Sequence, residues 1–318
     1  VRKMYPFFAA CGIAALLLVA VAGSTSYGAK ISISIAGISL QPSEFVKIAF
    51  VFFVAGMLHQ KTDFRQVCIT SAVAAVHVLI LVFSKDLGAA FLLFVTYVVM
   101  LYVASRKLLY FAGGLAAGSA ASVVAYHIFS HIRVRVLAWK NPLGYIDKEG
   151  YQVSQSLFAI GTGGWLGMGL YQGIPDKIPV VKQDFIFSAI AEELGGIFAL
   201  CLILVCFSCF LMFMNIAMQM KDQFYKLVAL GLGTVYATQV FLTIGGATKF
   251  IPSTGVTLPL VSYGGSSLLC SMIIFAIIQG LYILRQDEGE QNEPKVRNYR
   301  KTGRKKTGFE KADIEDIS

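Results

Sequence analysis

The sequence predicts an all-α, polytopic membrane protein with eight transmembrane helices. Of its 318 residues, 56% are hydrophobic and 14% are charged, whereas soluble domains average about 45–50% and 25%. A bilayer core is crossed by about 17–25 apolar residues, and seven segments of at least that length contain no Asp, Glu, Lys or Arg. These segments are 4–29, 66–84, 87–105, 108–132, 194–220, 227–248 and 250–284.

The eighth predicted span, 41–60, is equally apolar except for Glu44 and Lys47 near its beginning. We divide the chain into a transmembrane domain over 1–285 and a basic cytoplasmic tail over 286–318. The tail has few apolar residues, a composition typical of disordered segments. The basic residues of the tail cluster over 295–306, but eight acidic residues balance the eight basic ones over 286–318, so the net charge of +9 lies in 1–285. There the positive-inside bias of membrane loops accounts for it without a nucleic-acid partner.

The connections between the spans alternate in charge. Positive loops face the cytoplasm, and Lys or Arg residues recur at every second boundary. This pattern predicts that both ends of the chain are cytoplasmic and that a long loop, about 131–185, is external. The positive boundaries carry Arg2, Lys3, Lys61, Arg65, Arg106, Lys107, Lys221 and Lys226.

The predicted external loop is organised and basic. It contains Trp139 and Trp165, which are not typical of a disordered linker, and its 155–160 stretch predicts a short amphipathic helix. Glycines cluster over 161–169, where we expect close backbone packing at a corner. The loop also carries the basic residues Arg133, Arg135 and Lys140. This positive cluster on the predicted outer face indicates that the face handles an anion.

Ionisable residues at the ends of spans are costly in a membrane and therefore informative. Glu44 and Lys47 are three residues apart, so they share one helical face; they are either a structural pair or part of a polar cavity. Asp86 begins the fourth span, and Asp184 precedes the sixth. For Asp184, a helix N-cap and a functional carboxylate both stay open.

A metal site is not predicted. All six cysteines fall in apolar segments, where cysteine behaves as a small hydrophobic residue. The Cys206-x-x-Cys209 pair lies within a span and has no second Cys or His pair beside it.

Five motifs can be read along the chain: QPSEFVK from Gln41, DLG from Asp86, GYQ ending at Gln152 with the glycine-rich corner after it, DFIFSAIAEELG from Asp184, and PSTGVTLPLVSYGGS from Pro252. Together they strongly resemble the SEDS family (shape, elongation, division and sporulation), the FtsW, RodA and SpoVE-type peptidoglycan polymerases. The resemblance runs from about residue 5 to residue 285. Because family members have ten spans, eight spans imply an N-terminally truncated chain.

The resemblance implies glycosyl transfer on the outer face of the bacterial cytoplasmic membrane, in cell division or elongation. Lipid II is polymerised into glycan strands, and undecaprenyl pyrophosphate is released. Asp184 matches the family's essential catalytic aspartate. A sugar hydroxyl that attacks an anomeric carbon needs a base, and a pyrophosphate leaving group needs cationic stabilisation. The predicted substrate-binding residues are Glu44, Lys47, Asp86, Arg133, Arg135, Lys140, Gln152, Ser262 and Tyr263.

The resemblance also implies a partner, a class B penicillin-binding protein that crosslinks the new strand within the divisome or elongasome. No cofactor is expected beyond a divalent cation, weakly held, that a pyrophosphate substrate would bring. The chain departs from the family pattern at Lys85, where the family has Pro, and at Val180, where it often has an acidic residue.

Two other functions stay open. In a flippase for lipid-linked precursors, Glu44, Lys47 and Asp86 would line an alternating-access path. In a non-enzymatic scaffold, Asp184 would be dispensable. The charges gather at one side of the membrane rather than at its midplane, which favours the enzyme.

Overall fold

The computed structural model describes residues 2–26, 29–35 and 38–292, and these are mainly helical. A small antiparallel sheet in the order β1-β2-β3 connects the first two helices. Its strands are β1 Ser24–Ser26, β2 Ala29–Ile35 and β3 Ile38–Leu40. The helices are α1 Tyr5–Ala22, α2 Pro42–Leu58, α3 Phe64–Phe83, α4 Leu87–Ser105, α5 Leu108–Ile128, α6 Ser130–Lys140, α7 Tyr151–Gly163, α8 Ile186–Gln219, α9 Gln223–Ala247 and α10 Gly265–Asn292.

Seven helices in the described part of the chain are long and apolar enough to cross a membrane, namely α1, α3, α4, α5, α8, α9 and α10. The eighth predicted span forms α2, which has 17 residues and so lies at the lower limit of about 17 for crossing. The prediction of an all-α, multi-pass membrane protein is therefore confirmed.

Three predicted spans have different bounds in the structure. The first helix ends at Ala22, and β1 follows within the same apolar segment. Helix α8 begins at Ile186, before the charge-free segment 194–220 and close to Asp184 at the predicted opening of this span, whereas α10 begins only at Gly265. Residues 250–264 form an irregular loop because Pro252 and Pro259 lack the N–H that a helix needs. Hydropathy alone does not reveal these boundaries.

Helices α2 and α9 occupy the centre of the bundle. Val51 of α2 and Leu232 and Val235 of α9 have no solvent exposure. A Cβ atom added to Gly231 would lie 2.7 Å from a methyl group of Val51, so the glycine permits the close approach of the two helices. By contrast, α5 contributes no buried residue and lies at the periphery. The central position of α2 explains how a helix with two charged residues is accommodated.

One side of the bundle carries the irregular segments, and we call it the Asp184 side. It comprises the sheet, the α3–α4 corner at 84–86, the segment 129–185 with α6 and α7, and the loop 248–264. A second, smaller apolar core lies here, formed by residues such as Ile178, Phe185, Phe187 and Ala191. The opposite side carries the short connections. Helix α10 reaches Asn292, so residues 286–292 of the predicted tail are helical, and 293–318 lie outside the described residues.

The glycine-rich corner packs against a kink in α8. Gly195 has a φ of +85° inside the helix. A Cβ atom on Gly163 would meet the carbonyl oxygen of Ala191 at 2.0 Å, and one on Gly167 would meet that of Glu193 at 2.3 Å. The expectation of close backbone packing is confirmed, and the predicted 155–160 helix forms the middle of α7.

Candidate active site on the Asp184 side

A buried polar chain begins at the ion pair of α2. Lys47 Nζ lies 2.6 Å from Glu44 Oε2, and the two side chains are only 3% and 9% exposed. Lys47 Nζ also donates a hydrogen bond to Gln239 Oε1 of α9 at 3.0 Å. Gln239 Nε2 in turn donates to the carbonyl of Thr257 at 3.0 Å. The pair therefore connects α2 and α9 to the loop 248–264.

Asp86 adjoins this chain at the beginning of α4. Its side chain caps the helix by accepting a hydrogen bond from the N–H of Ala89 at 3.1 Å, and its other oxygen accepts from the hydroxyl of Ser43 at 3.1 Å. Burial raises the pKa of Asp86, and the Glu44 carboxylate raises it further, whereas these two hydrogen bonds and Lys47 lower it. Asp86, Glu44 and Lys47 are thus close enough for their charges to influence one another.

Asp184 lies directly before α8, but it does not cap that helix. The N-cap position is Phe185, and no side chain makes a capping hydrogen bond there. The N-cap interpretation of Asp184 is therefore wrong. The buried ring of Phe185, only 1% exposed, anchors the chain beside Asp184 and leaves the carboxylate half-buried.

The loop 248–264 braces the residues that precede Asp184. The Ser262 hydroxyl donates a hydrogen bond to the carbonyl of Gln183 at 2.5 Å, and the Tyr263 N–H donates to the carbonyl of Lys182 at 2.7 Å. Gly255 has a φ of +78°, and a Cβ atom on it would lie 3.7 Å from Asp184 Oδ2. This distance is an ordinary van der Waals contact, so the loop lies directly against the carboxylate of Asp184.

Helix α6 is attached to the same loop by two side chains. Arg135 donates a hydrogen bond from Nη1 to the carbonyl of Ser253 at 3.0 Å. Trp139 donates from Nε1 to the carbonyl of Lys249 at 3.0 Å. These contacts fix the guanidinium of Arg135, which is half-buried, in the neighbourhood of Asp184 and Asp86.

The electrostatic environment sets the protonation of Asp184. Burial raises its pKa to about 6, with a further increase from the negative charge of Asp86, whereas the positive charge of Arg135 lowers it. At neutral pH a group with this pKa is about nine-tenths ionised. The carboxylate is therefore available as a base that is markedly more basic than a solvent-exposed aspartate.

The structure places only some of the sequence-predicted site residues close to one another. It brings together Asp184, Asp86, Arg135 and the Glu44–Lys47 pair. The Ser262 hydroxyl is buried and used internally, since it also accepts a hydrogen bond from the N–H of Leu258 at 2.8 Å, so it positions the backbone beside Asp184.

The remaining predicted residues are farther from this cluster or more exposed. Arg133 and Lys140 are exposed on α6. The Tyr263 side chain is 74% exposed. Gln152 is half-buried in the first turn of α7, and no described hydrogen bond connects it to Asp184. Their predicted roles in substrate binding stay predictions.

Two more buried polar groups lie on this side of the bundle: sequence reasoning missed Gln239, and it noted Glu192 as a charge two turns into the sixth span. Gln239 is the third member of the Lys47 chain, and its only sequence signal is a lone amide inside an otherwise apolar span. Glu192 is 7% exposed; one oxygen accepts from the N–H of Ile174 at 3.3 Å, and the other has no partner within the described residues.

The described part of the chain contains no cluster of three or more His, Cys, Asp or Glu side chains that would hold a metal ion. Cys206 and Cys209 are free thiols.

Known proteins match both the sequence and the fold. The chain is 37% identical over 299 residues to the peptidoglycan glycosyltransferase RodA of Mycobacterium tuberculosis, covering 87% of this chain and 64% of that protein. It is 34% identical over 275 residues to the stage V sporulation protein E of Bacillus subtilis, covering 83% and 74%. The chain thus spans somewhat less than two thirds of the mycobacterial relative.

Two solved structures share the fold. A chain of a peptidoglycan synthase complex, described as coordinating polymerization and crosslinking, superimposes with a TM-score of 0.76 at 22% identity, covering 89% of this chain and 82% of that one. The rod shape determining protein RodA of Thermus thermophilus superimposes with a TM-score of 0.62 at 21% identity, covering 90% and 79%.

A family model described as "Cell cycle protein", that of FtsW, RodA and SpoVE, matches residues 1–286. This match covers all of the membrane-spanning helices and every motif that predicted the site. The chain therefore belongs to the FtsW/RodA/SpoVE family of cell cycle proteins.

Proposed function

We propose that this protein is a peptidoglycan glycosyltransferase that polymerises lipid II into glycan strands and releases undecaprenyl pyrophosphate. The observation that carries the proposal is Asp184, a half-buried carboxylate with a pKa of about 6 beside the guanidinium of Arg135. Its relatives named peptidoglycan glycosyltransferase support the choice of reaction.

The arrangement suits an inverting glycosyl transfer. Asp184 accepts the proton of the attacking sugar 4-hydroxyl while that oxygen forms a bond to the anomeric carbon of the lipid-linked sugar. The bond from this carbon to the pyrophosphate oxygen breaks, and the electron pair leaves with the pyrophosphate. Because the leaving group is already a stable anion, it needs nearby cations rather than a strong general acid, and Arg135 is the first of these.

The sidedness of the molecule follows the same proposal. The side opposite to Asp184 carries the basic short connections, so the positive-inside rule assigns it to the cytoplasm together with both ends of the chain. The Asp184 side is then extracytoplasmic, where the sugar headgroup of lipid II is presented. A class B penicillin-binding protein as partner fits the crosslinking ascribed to the structurally similar synthase complex.

A single assay tests the proposed function. Purified full-length protein is incubated with fluorescently labelled lipid II, and the products are separated by gel electrophoresis with and without a muramidase. We expect a ladder of glycan strands that the muramidase removes. A protein that is well folded but makes no polymer, while it moves lipid II between leaflets of a vesicle, would instead be the flippase.

A further inference from the structure

One face of α6 gathers residues that the proposed mechanism has not fully used. His131, Arg135 and Trp139 are spaced four residues apart, so they lie on the same side of the helix. Arg135 and Trp139 bind the loop 248–264 through the carbonyls of Ser253 and Lys249. The face that carries His131 is therefore turned inward, toward the Asp184 cluster.

Ring contacts place His131 beside the α3–α4 corner. The ring of Phe83, at the end of α3, contacts the ring of Phe129 at 6.2 Å between centroids, and Phe129 contacts His131 at 5.5 Å. Lys85 follows in this corner, immediately before Asp86. Its backbone φ is +64°, and its side chain is exposed.

Electrostatics agree with this placement. Burial lowers the pKa of His131, and the positive charges of Lys85 and Arg135 lower it further. Two basic side chains therefore lie near the imidazole, one from the α3–α4 corner and one from α6 itself. The carboxylates of Asp86 and Asp184 also act on Arg135: burial lowers the pKa of Arg135, and the two negative charges raise it.

One nitrogen of the His131 imidazole is relevant to ligand binding. His131 Nε2 is buried and has no hydrogen-bond partner among the described residues, although buried polar atoms are nearly always paired. An anionic ligand between Lys85 and Arg135 would supply the missing acceptor. Its negative charge would also stabilise the protonated imidazolium, which the two cations disfavour in the unliganded protein.

We propose that Lys85, His131 and Arg135 form a binding site for the diphosphate group of a polyprenyl-linked substrate or product. This inference rests on the proposed function, because the diphosphate is the leaving group of that reaction. It adds the two residues Lys85 and His131 to Arg135 as the cations that receive the departing charge. A phosphodiester of an ordinary anionic phospholipid shares part of this chemistry, so the experiment includes both.

The test measures binding without turnover. Full-length protein with Asp184→Asn is titrated in a zwitterionic detergent with farnesyl diphosphate, a soluble polyprenyl diphosphate, and with inorganic pyrophosphate. The test variants are Lys85→Gln and His131→Gln. The matched control is Lys148→Gln, which removes one positive charge from an exposed side chain of the same segment 129–185 and leaves the inward face of α6 intact.

Loss of one charge-assisted hydrogen bond corresponds to about a tenfold change in affinity. We expect Lys85→Gln and His131→Gln to weaken farnesyl diphosphate binding by about that factor at pH 6, and Lys148→Gln to weaken it less than twofold. Equal affinity in all of the variants, or an equal loss in the control, would show only diffuse electrostatic attraction and would overturn the proposal.

The pH dependence provides a readout that a purely structural role would not give. Protonation of His131 adds a donor and a positive charge, so from pH 7.5 to pH 5.5 the Asp184→Asn protein should gain affinity relative to the same protein with His131→Gln. Protonation of the diphosphate itself affects both proteins alike. The Asp184→Asn background removes the titration of Asp184 itself. A pH response that persists undiminished without His131 would contradict the proposal.

Competition experiments distinguish a polyprenyl diphosphate from a phospholipid headgroup as the ligand. Nanodiscs containing phosphatidylglycerol should not displace farnesyl diphosphate, whereas undecaprenyl diphosphate should. Displacement by phosphatidylglycerol would assign the site to a phospholipid headgroup and overturn the substrate assignment. None of these measurements needs polymerisation, so a failure of the proposed function would appear in the glycan-strand assay and a failure of this inference in the binding series.

Discussion

Asp184→Asn should abolish polymerisation of lipid II while the protein still folds, inserts and binds lipid II. Asparagine has the same shape as aspartate but cannot accept the proton of the attacking hydroxyl. General base catalysis contributes about 10²–10⁴-fold, which is the expected decrease in rate. Because burial raises the pKa of Asp184, its charge opposes folding at neutral pH, and the neutral variant should be at least as stable as the wild type.

The measurement pairs the glycan-strand assay with thermal unfolding in detergent. Asp176→Asn is the matched control, since Asp176 is an exposed carboxylate in the same long segment, and its loss should change neither rate nor stability. A loss of activity that accompanies a large decrease in unfolding temperature would indicate a structural role for Asp184. Undiminished synthesis of long strands by Asp184→Asn would leave Asp86 and Glu192 as the next carboxylates to test.

Breaking the Glu44–Lys47 pair should strongly destabilise the protein. Both charges are buried and 2.6 Å apart, so the removal of one partner leaves the other without compensation, at a cost of about 3–5 kcal/mol. We expect this loss for Glu44→Gln and for Lys47→Met. The double variant should lose less than the sum of the two, because it strands no charge.

Denaturant-induced unfolding of the four proteins in the cycle measures this coupling. The Arg2–Asp222 ion pair provides the control, because its side chains are 43% and 31% exposed and such surface pairs contribute about 0–1 kcal/mol. Asp222→Asn retains the capping oxygen for α9 and should have little effect. Strictly additive losses in the Glu44–Lys47 cycle would mean that the two charges do not stabilise each other.

Much of the fold was predictable because a membrane simplifies the physics. Long apolar segments have few alternatives to a helix in a bilayer, and the positions of α3, α4, α5 and α9 follow directly from the hydropathy pattern. The irregular loop 250–264 was not predictable from hydropathy, because an apolar residue such as Leu258 is buried against the bundle by an irregular backbone rather than by a helix. The strands between α1 and α2 were missed for a similar reason, since β1 begins within an apolar segment.

The site residues that could be predicted are those whose charge is costly beside a membrane span. Residues whose role depends on tertiary packing could not be predicted. Asp184 and the Glu44–Lys47 pair stand out as charges beside apolar segments. Ser262 was recognised only as part of a motif, and its internal hydrogen bonds required the folded loop. His131 was missed, although its four-residue spacing from Arg135 and Trp139 was visible. Its proximity to Lys85 arises from the packing of α6 against a corner 46 residues earlier.

The pH dependence of kcat/KM for lipid II polymerisation tests most directly the claim that Asp184 is a base whose basicity is set by its neighbours. The rate should fall tenfold per pH unit below a midpoint near 6, where Asp184 becomes protonated. Asp86→Asn removes a negative charge and should move this midpoint to lower pH, whereas Arg135→Gln removes a positive charge and should move it to higher pH. A midpoint that stays fixed in both variants, or shifts in the opposite directions, would contradict the account.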